Sequence, residues 1–187
     1  VFYPDYFGKD FVLNDLTHDG GLTAIRIEGP TNSVDQRANR LSKELGLLDQ
    51  ELSILDSEQS NIFWSRTKNL EVFKSLKSNL LRIVLPMSET LQVIQKLKNF
   101  EIKYFIDWGG GLIWASFDQL NTKILSEIKD TVKKHQGYIT LIKVEEDLKA
   151  SADIFTIDPI KYKISEKIKR SFDPKRIFNP GKMYTGI

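Results

Sequence analysis

The chain has 187 residues, 41% of them hydrophobic, enough to bury one substantial core. Its 27 Lys and Arg nearly balance 25 Asp and Glu, and a formal charge of +2 is too even for the clustered basic face that nucleic acid requires. With no cysteine, disulfides, iron–sulfur ligation and thiol chemistry are excluded; with no apolar run near the roughly 20 residues of a membrane span, a soluble location is expected.

Residues 1–21 are aromatic and aperiodic and read as a lead-in or linker. Leu22 to Glu28 is partly β-branched and closes on Gly29-Pro30, which predicts a strand ending in a turn. Thr31 or Asn32 is placed to cap a helix whose Val34, Ala38, Leu41 and Leu45 form one stripe. An apolar piece at Leu52 to Leu55 leads to Asp56 or Ser57 and a helix from Glu58 to Leu76 of less regular register. Leu80 to Leu85 is a strand that Pro86 ends. Ser88, Leu91, Ile94 and Leu97 mark a short helix, Glu101 to Asp107 alternates as a strand, Gly109-Gly110-Gly111 permits a tight reversal, and Leu112 to Phe117 returns. Asp118 is expected to cap a helix carrying Leu120, Ile124, Ile128 and Val132, followed by Gly137 and a strand from Tyr138 to Val144. The order over residues 80–144 is βαββαβ, the pattern of a ferredoxin-like unit. An α+β fold follows: a ferredoxin-like core within an enlarged antiparallel or mixed sheet, helices mainly on one face, and an irregular C-terminal tail. Ile160, Ile164, Ile168 and Phe172 share a face of a last helix over 159–171; Asp173-Pro174 stops it, and Asn179-Pro180-Gly181 forms a turn.

Strand alternation singles out the chemistry-bearing side chains. Arg26 and Arg82 are each embedded in strand-like sequence, and a guanidinium fork suits the carboxylate of a small acid. The alternative is a solvated face on which Arg26 pairs with Glu28. Asp107 shares a strand face with Lys103 and Phe105, while Trp108 and Trp114 bracket the glycine reversal, as pocket lining, partner contact or core. Arg26, Arg82, Asp107 and Trp114 are therefore the substrate-pocket candidates. The triple glycine lacks the spacing of a dinucleotide-binding turn. Phe63-Trp64-Ser65-Arg66 fits core packing best. His18 and His135 are the only histidines and have no companion ligand at a metal-like spacing, so no metal site is expected.

The string Phe172-Asp173-Pro174-Lys175-Arg176-Ile177-Phe178-Asn179-Pro180-Gly181-Lys182-Met183-Tyr184 resembles the terminal signature of FAD-linked oxidases with the vanillyl-alcohol-oxidase-type flavin domain. Leu22 to Gly29 with Val34 and Arg37, Phe63-Trp64 before Leu70, Leu80-Arg82-Val84-Pro86, and Ile106-Asp107-Trp108-Gly109-Gly110-Gly111-Leu112-Ile113-Trp114 are similar to the FAD-containing small subunit of bacterial glycolate oxidases. The resemblance implies a C-terminal domain that covers the flavin of an enzyme oxidising a small 2-hydroxy acid such as glycolate, with electrons passed on through a multisubunit complex. It implies a substrate-side domain at 22–158 and a C-terminal helix and flavin-facing tail at 159–187, with Asn179, Gly181 and Lys182 near the cofactor. The FAD-binding domain with its pyrophosphate loops is absent from these residues. The expected partners are that domain, other oxidase subunits and the 2-hydroxy acid, with a cytoplasmic location beside a membrane-linked electron-transfer complex. Alone, the chain is expected to bind no FAD stably and to be inactive; the competing expectation is a noncatalytic subunit-interaction domain.

Overall fold

A computed structural model describes residues 1–7, 20–46, 52–74, 79–146, 148, 152–156, 158–182, 184 and 187. His18 and the far end of the helix expected to reach Leu76 lie outside the described residues. The chain divides into two compact units, one spanning Phe2–Ser75 and one comprising Leu76–Ile187 with Val1.

In the first unit, β1 (Phe2–Tyr3) pairs antiparallel with β2 (Leu22–Thr23), matching Phe2 with Thr23 and Tyr3 with Leu22. The strand expected over residues 22–28 is thus only two residues long. Ile25 is exposed, so alternation beyond Thr23 has no buried face to fill. Helix α1 (Thr31–Glu44) starts after Pro30, and neither Thr31 nor Asn32 caps it, because Thr31 is already its first turn. Helix α2 (Ser57–Lys68) has the expected cap at Asp56: its carboxylate accepts from Gln59 N at 2.8 Å, and Gln59 returns the bond to Asp56 N, a capping box. The helix stops at Lys68, short of the expected end, because Leu70 takes a left-handed conformation with φ 53°. The unit is held by aromatic burial. Tyr3 and Phe63 are almost fully buried with ring centres 6.1 Å apart, and Tyr3 donates to Thr67 Oγ1 at 2.9 Å.

The second unit runs β3 (Asn79–Val84), α3 (Thr90–Leu97), β4 (Ile102–Asp107), β5 (Leu112–Phe117), α4 (Thr122–Lys134), β6 (Tyr138–Lys143) and α5 (Pro159–Phe172). Strands β4, β5, β3 and β6 lie side by side in that order, every pairing antiparallel. The register aligns Phe105, Trp114, Arg82 and Thr140 across the sheet, with Asp107, Leu112, Val84 and Tyr138 forming the neighbouring row. Leu81, Ile83, Ile102, Tyr104, Ile113, Ala115, Phe117, Ile139 and Leu141 point to the opposite face. There they form one core with Val93, Ile94 and Leu97 of α3 and Leu125, Ile128 and Val132 of α4. Both helices between strands therefore cover one face of this sheet, and the chain is an α+β fold.

Two local expectations change. Asn121, not Asp118, caps α4, its side chain accepting from Ile124 N at 2.9 Å, while Leu120 before it is buried and Asp118 stays exposed. Helix α5 does carry Ile160, Ile164, Ile168 and Phe172 on one stripe, but these are 70%, 53%, 55% and 85% exposed. The half-buried side of the helix is instead Tyr162, Ser165, Glu166 and Lys169, centred about 130° around the axis from the apolar stripe.

Candidate functional site

The sheet face without α3 and α4 collects three of the four pocket candidates. Arg82 on β3 and Trp114 on β5 are direct cross-strand neighbours, whose side chains stand roughly 5 Å apart at their bases. Asp107 occupies the next row, at the end of β4. Phe105 is fully buried beside Trp114, ring centres 6.4 Å apart, which gives this face an aromatic floor. Arg82, Asp107 and Trp114 are half-buried.

Arg82 lies over the ring of Trp108, 4.9 Å from its centre. Among the described residues its guanidinium has neither a carboxylate nor a hydrogen-bond acceptor, and its nitrogens are not sealed from solvent. A cation on an aromatic, half-buried surface with its N–H groups unused is suited to take an anion, and a planar carboxylate matches the fork best.

Asp107 has a different duty in this geometry. Its Oδ1 accepts from Trp108 N at 2.7 Å, fixing the start of the tight turn Trp108–Gly110 between β4 and β5. Trp108 and Gly109 there have φ of 53° and 62°, and Gly110 reaches 113°, a conformation that glycine adopts freely. Thr90 Oγ1 donates to Gly110 O, and Met87 packs beneath the glycines. The sequence signal was there in the Trp beside three glycines, but contact between Trp108 and Arg82 depends on strand order, which neighbouring residues in the chain do not encode.

Arg26 belongs to the other unit and is paired: its Nη2 lies 2.6 Å from Glu28 Oε1, and its side chain is 40% exposed. It lines an open hollow of about 380 Å³ with Glu28, Arg37, Arg40 and Glu44. Arg40 is paired with Glu44 at 2.7 Å, and Arg37 donates to Glu28 O at 2.6 Å, so the local cations already have oxygen partners.

The tail is built around Asp173. This buried carboxylate accepts from Lys169 Nζ at 2.8 Å and from the backbone N–H groups of Ile177 and Phe178, both at 2.9 Å. The Lys169 hydrogen bond first, then the two backbone donors, hold its carboxyl down at about 2. Lys169 also donates to Phe178 O. The turn that follows has Asn179 at φ 45° and Gly181 at φ 69°; Gly181 N bonds Ile187 O at 2.7 Å and Lys182 N bonds Asn179 O at 3.2 Å. Asn179, Gly181 and Lys182 are all exposed.

His135, buried at the end of α4, joins Glu89 Oε2 at 2.6 Å to Lys96 Nζ at 2.9 Å. With both ring nitrogens engaged, it ties α4 to α3 and to the turn before α3. No group of three or more metal-ligating side chains occurs among the described residues. No described helix is long and apolar enough to cross a membrane.

No family model matches the chain, and no solved structure matches it. It is 26% identical over 178 residues, 94% of its length, to the glycolate oxidase subunit GlcE of Escherichia coli (strain K12). The chain spans about 42% of that protein's length. At this identity and coverage the likeness is a distant one.

Proposed function

We propose that this chain is the substrate-side domain of an FAD-dependent oxidoreductase acting on a small 2-hydroxy acid such as glycolate, completed by an N-terminal FAD-binding domain and further oxidase subunits. The carrying observation is Arg82: a half-buried guanidinium on an aromatic sheet face, without an ion-pair partner among the described residues. The distant relation to a glycolate oxidase subunit supplies the reaction class. The antiparallel order β4-β5-β3-β6, with α3 and α4 on one side, supports a ferredoxin-like core whose other face serves the site.

In this reading Arg82 grips the carboxylate, Trp114, backed by the buried Phe105, forms the wall against which the two-carbon body rests, and Asp107 shapes the turn that borders the pocket. The exposed turn at Asn179, Gly181 and Lys182 is the part of the chain that approaches the cofactor. Flavin, when bound, supplies the redox chemistry; this chain orients the acid and keeps its charge matched. Arg26, already neutralised by Glu28, has at most an accessory part.

A second reading, a noncatalytic subunit-interaction domain, draws on the outward stripe of α5, which presents Ile160, Ile164, Ile168 and Phe172 to solvent. Kinetics of the enzyme complete with its FAD-binding domain separate the two. In the oxidase reading, Arg82→Lys lowers kcat/KM for glycolate by about 10- to 100-fold, the loss of a bidentate charged contact, while the 187-residue chain supplied with FAD shows no turnover. An unchanged kcat/KM in the variant assembly leaves the interaction-domain reading standing. Turnover by the isolated chain would overturn its incompleteness.

A further inference from the structure

We infer that Trp108 positions Arg82, so that the pair forms a small-carboxylate site built within the second unit and able to bind its anion without an FAD-binding domain. This rests on the carboxylate reading above and adds to it a residue and the site's independence of that domain.

A bulky residue at φ 53°, the Trp108 conformation, is disfavoured, and such strain persists only where the surroundings enforce it. Here they do. Asp107 Oδ1 holds the Trp108 N–H, Gly111 N–H bonds Trp108 O at 3.2 Å, Thr90 fixes Gly110 O, and Met87 fills the space beneath. All this restraint ends in an indole that is 58% exposed, so burial of the ring is not what it achieves. What the ring does touch is the guanidinium of Arg82 at 4.9 Å.

An aromatic face attracts a guanidinium but offers it no lone pair. It limits the swing of a long side chain while leaving the N–H groups for an oxygen ligand. An acidic partner in the same place would consume those donors. The arrangement therefore lowers the ordering cost of binding without satisfying the cation, which is how preorganised sites gain affinity. The ligand it fits is a compact, planar carboxylate.

The test uses the 187-residue chain, glycolate as titrant, calorimetry for affinity, and the Arg82 Nε–H resonance in NMR as the local report. Trp108→Leu keeps apolar bulk and removes the ring face; Trp108→Phe restores it. The expected result is binding about fivefold or more weaker in Trp108→Leu, recovered in most part by Trp108→Phe, with the thermal midpoint unchanged in both. The Arg82 resonance should move with glycolate in the wild type and in Trp108→Phe, and broaden in Trp108→Leu. If Trp108→Leu binds as the wild type does while Arg82→Lys fails, the positioning role is wrong and the Arg82 anchor survives. If the wild-type chain takes up no glycolate although the assembly turns it over through Arg82, the self-contained site is wrong and the functional reading survives.

Discussion

Gly137 offers a sharp test of how the sheet that carries Arg82 is assembled. A glycine after the last turn of a helix ordinarily takes the left-handed position, but here Gln136 takes it, with φ 57°, and Gly137 N closes the motif on Val132 O at 2.9 Å. Gly137 is small for another reason. A Cβ there would lie 2.7 Å from Val132 Cγ1, 2.9 Å from Leu85 Cβ and 2.9 Å from Val84 O, and none of these is the loose end of a side chain. The residue lets β6 begin tight against the end of β3, the strand of Arg82. Gly137→Ala should then cost about 1–3 kcal/mol as overpacking, a fall in melting temperature of roughly 2–12 °C for a chain of this size. Gln136→Gly should do the opposite: relief of about 1–2 kcal/mol of left-handed strain, less about 0.4–1 kcal/mol for the freer unfolded chain, a net gain of up to about 1.6 kcal/mol. Urea denaturation of the two variants measures both. A neutral Gly137→Ala would refute the close-approach argument, and a destabilising Gln136→Gly would refute the strain argument.

The Asp173 carboxyl is held at about 2 in the folded chain against an ordinary 3.8, so the folded state binds fewer protons, and the stabilisation is fully present above about pH 4 and lost as the pH falls through 2. The amides of Ile177 and Phe178 should keep their exchange protection at pH 5 and lose it near pH 2; an Asp173 titration midpoint near 4 would contradict the hydrogen-bonded geometry. The Arg26–Glu28 pair is exposed, and removing it with Arg26→Ala should change stability by no more than about 1 kcal/mol in urea denaturation and leave glycolate binding unaltered. A loss of glycolate affinity in that variant would return Arg26 to the site.

Much of the second unit was legible in its sequence because its elements repeat with their own periods. Leu81, Ile83 and Leu85, or Ile124, Ile128 and Val132, can meet a core in only one conformation, and the strands and helices fall close to their expected bounds. Leu22 to Glu28 misled for a physical reason: its alternation is real, but β1 offers only Phe2 and Tyr3 as partners, and a strand extends only where its backbone groups are paired. The last helix misled differently. Its stripe was visible, but periodicity gives the stripe and not the direction it faces, and Ile160, Ile164, Ile168 and Phe172 face outward. Of the candidate site, alternation put Arg82 and Asp107 on definite strand faces; that Trp114 neighbours Arg82, and that Trp108 lies against it, follows from the order β4-β5-β3, a long-range property. The pairing of Arg26 with Glu28 was foreseeable from their spacing of two.

Whether the sheet face bearing Arg82 receives a carboxylate is decided by mapping glycolate-induced shifts over the backbone amides and Trp side-chain signals of the 187-residue chain. Saturable shifts clustered at Arg82, Trp108 and Trp114 are expected, with ethylene glycol, which lacks the carboxylate, causing none. Shifts centred instead on Arg26, Arg37 and Arg40, or equal shifts with both compounds, would contradict a carboxylate site there.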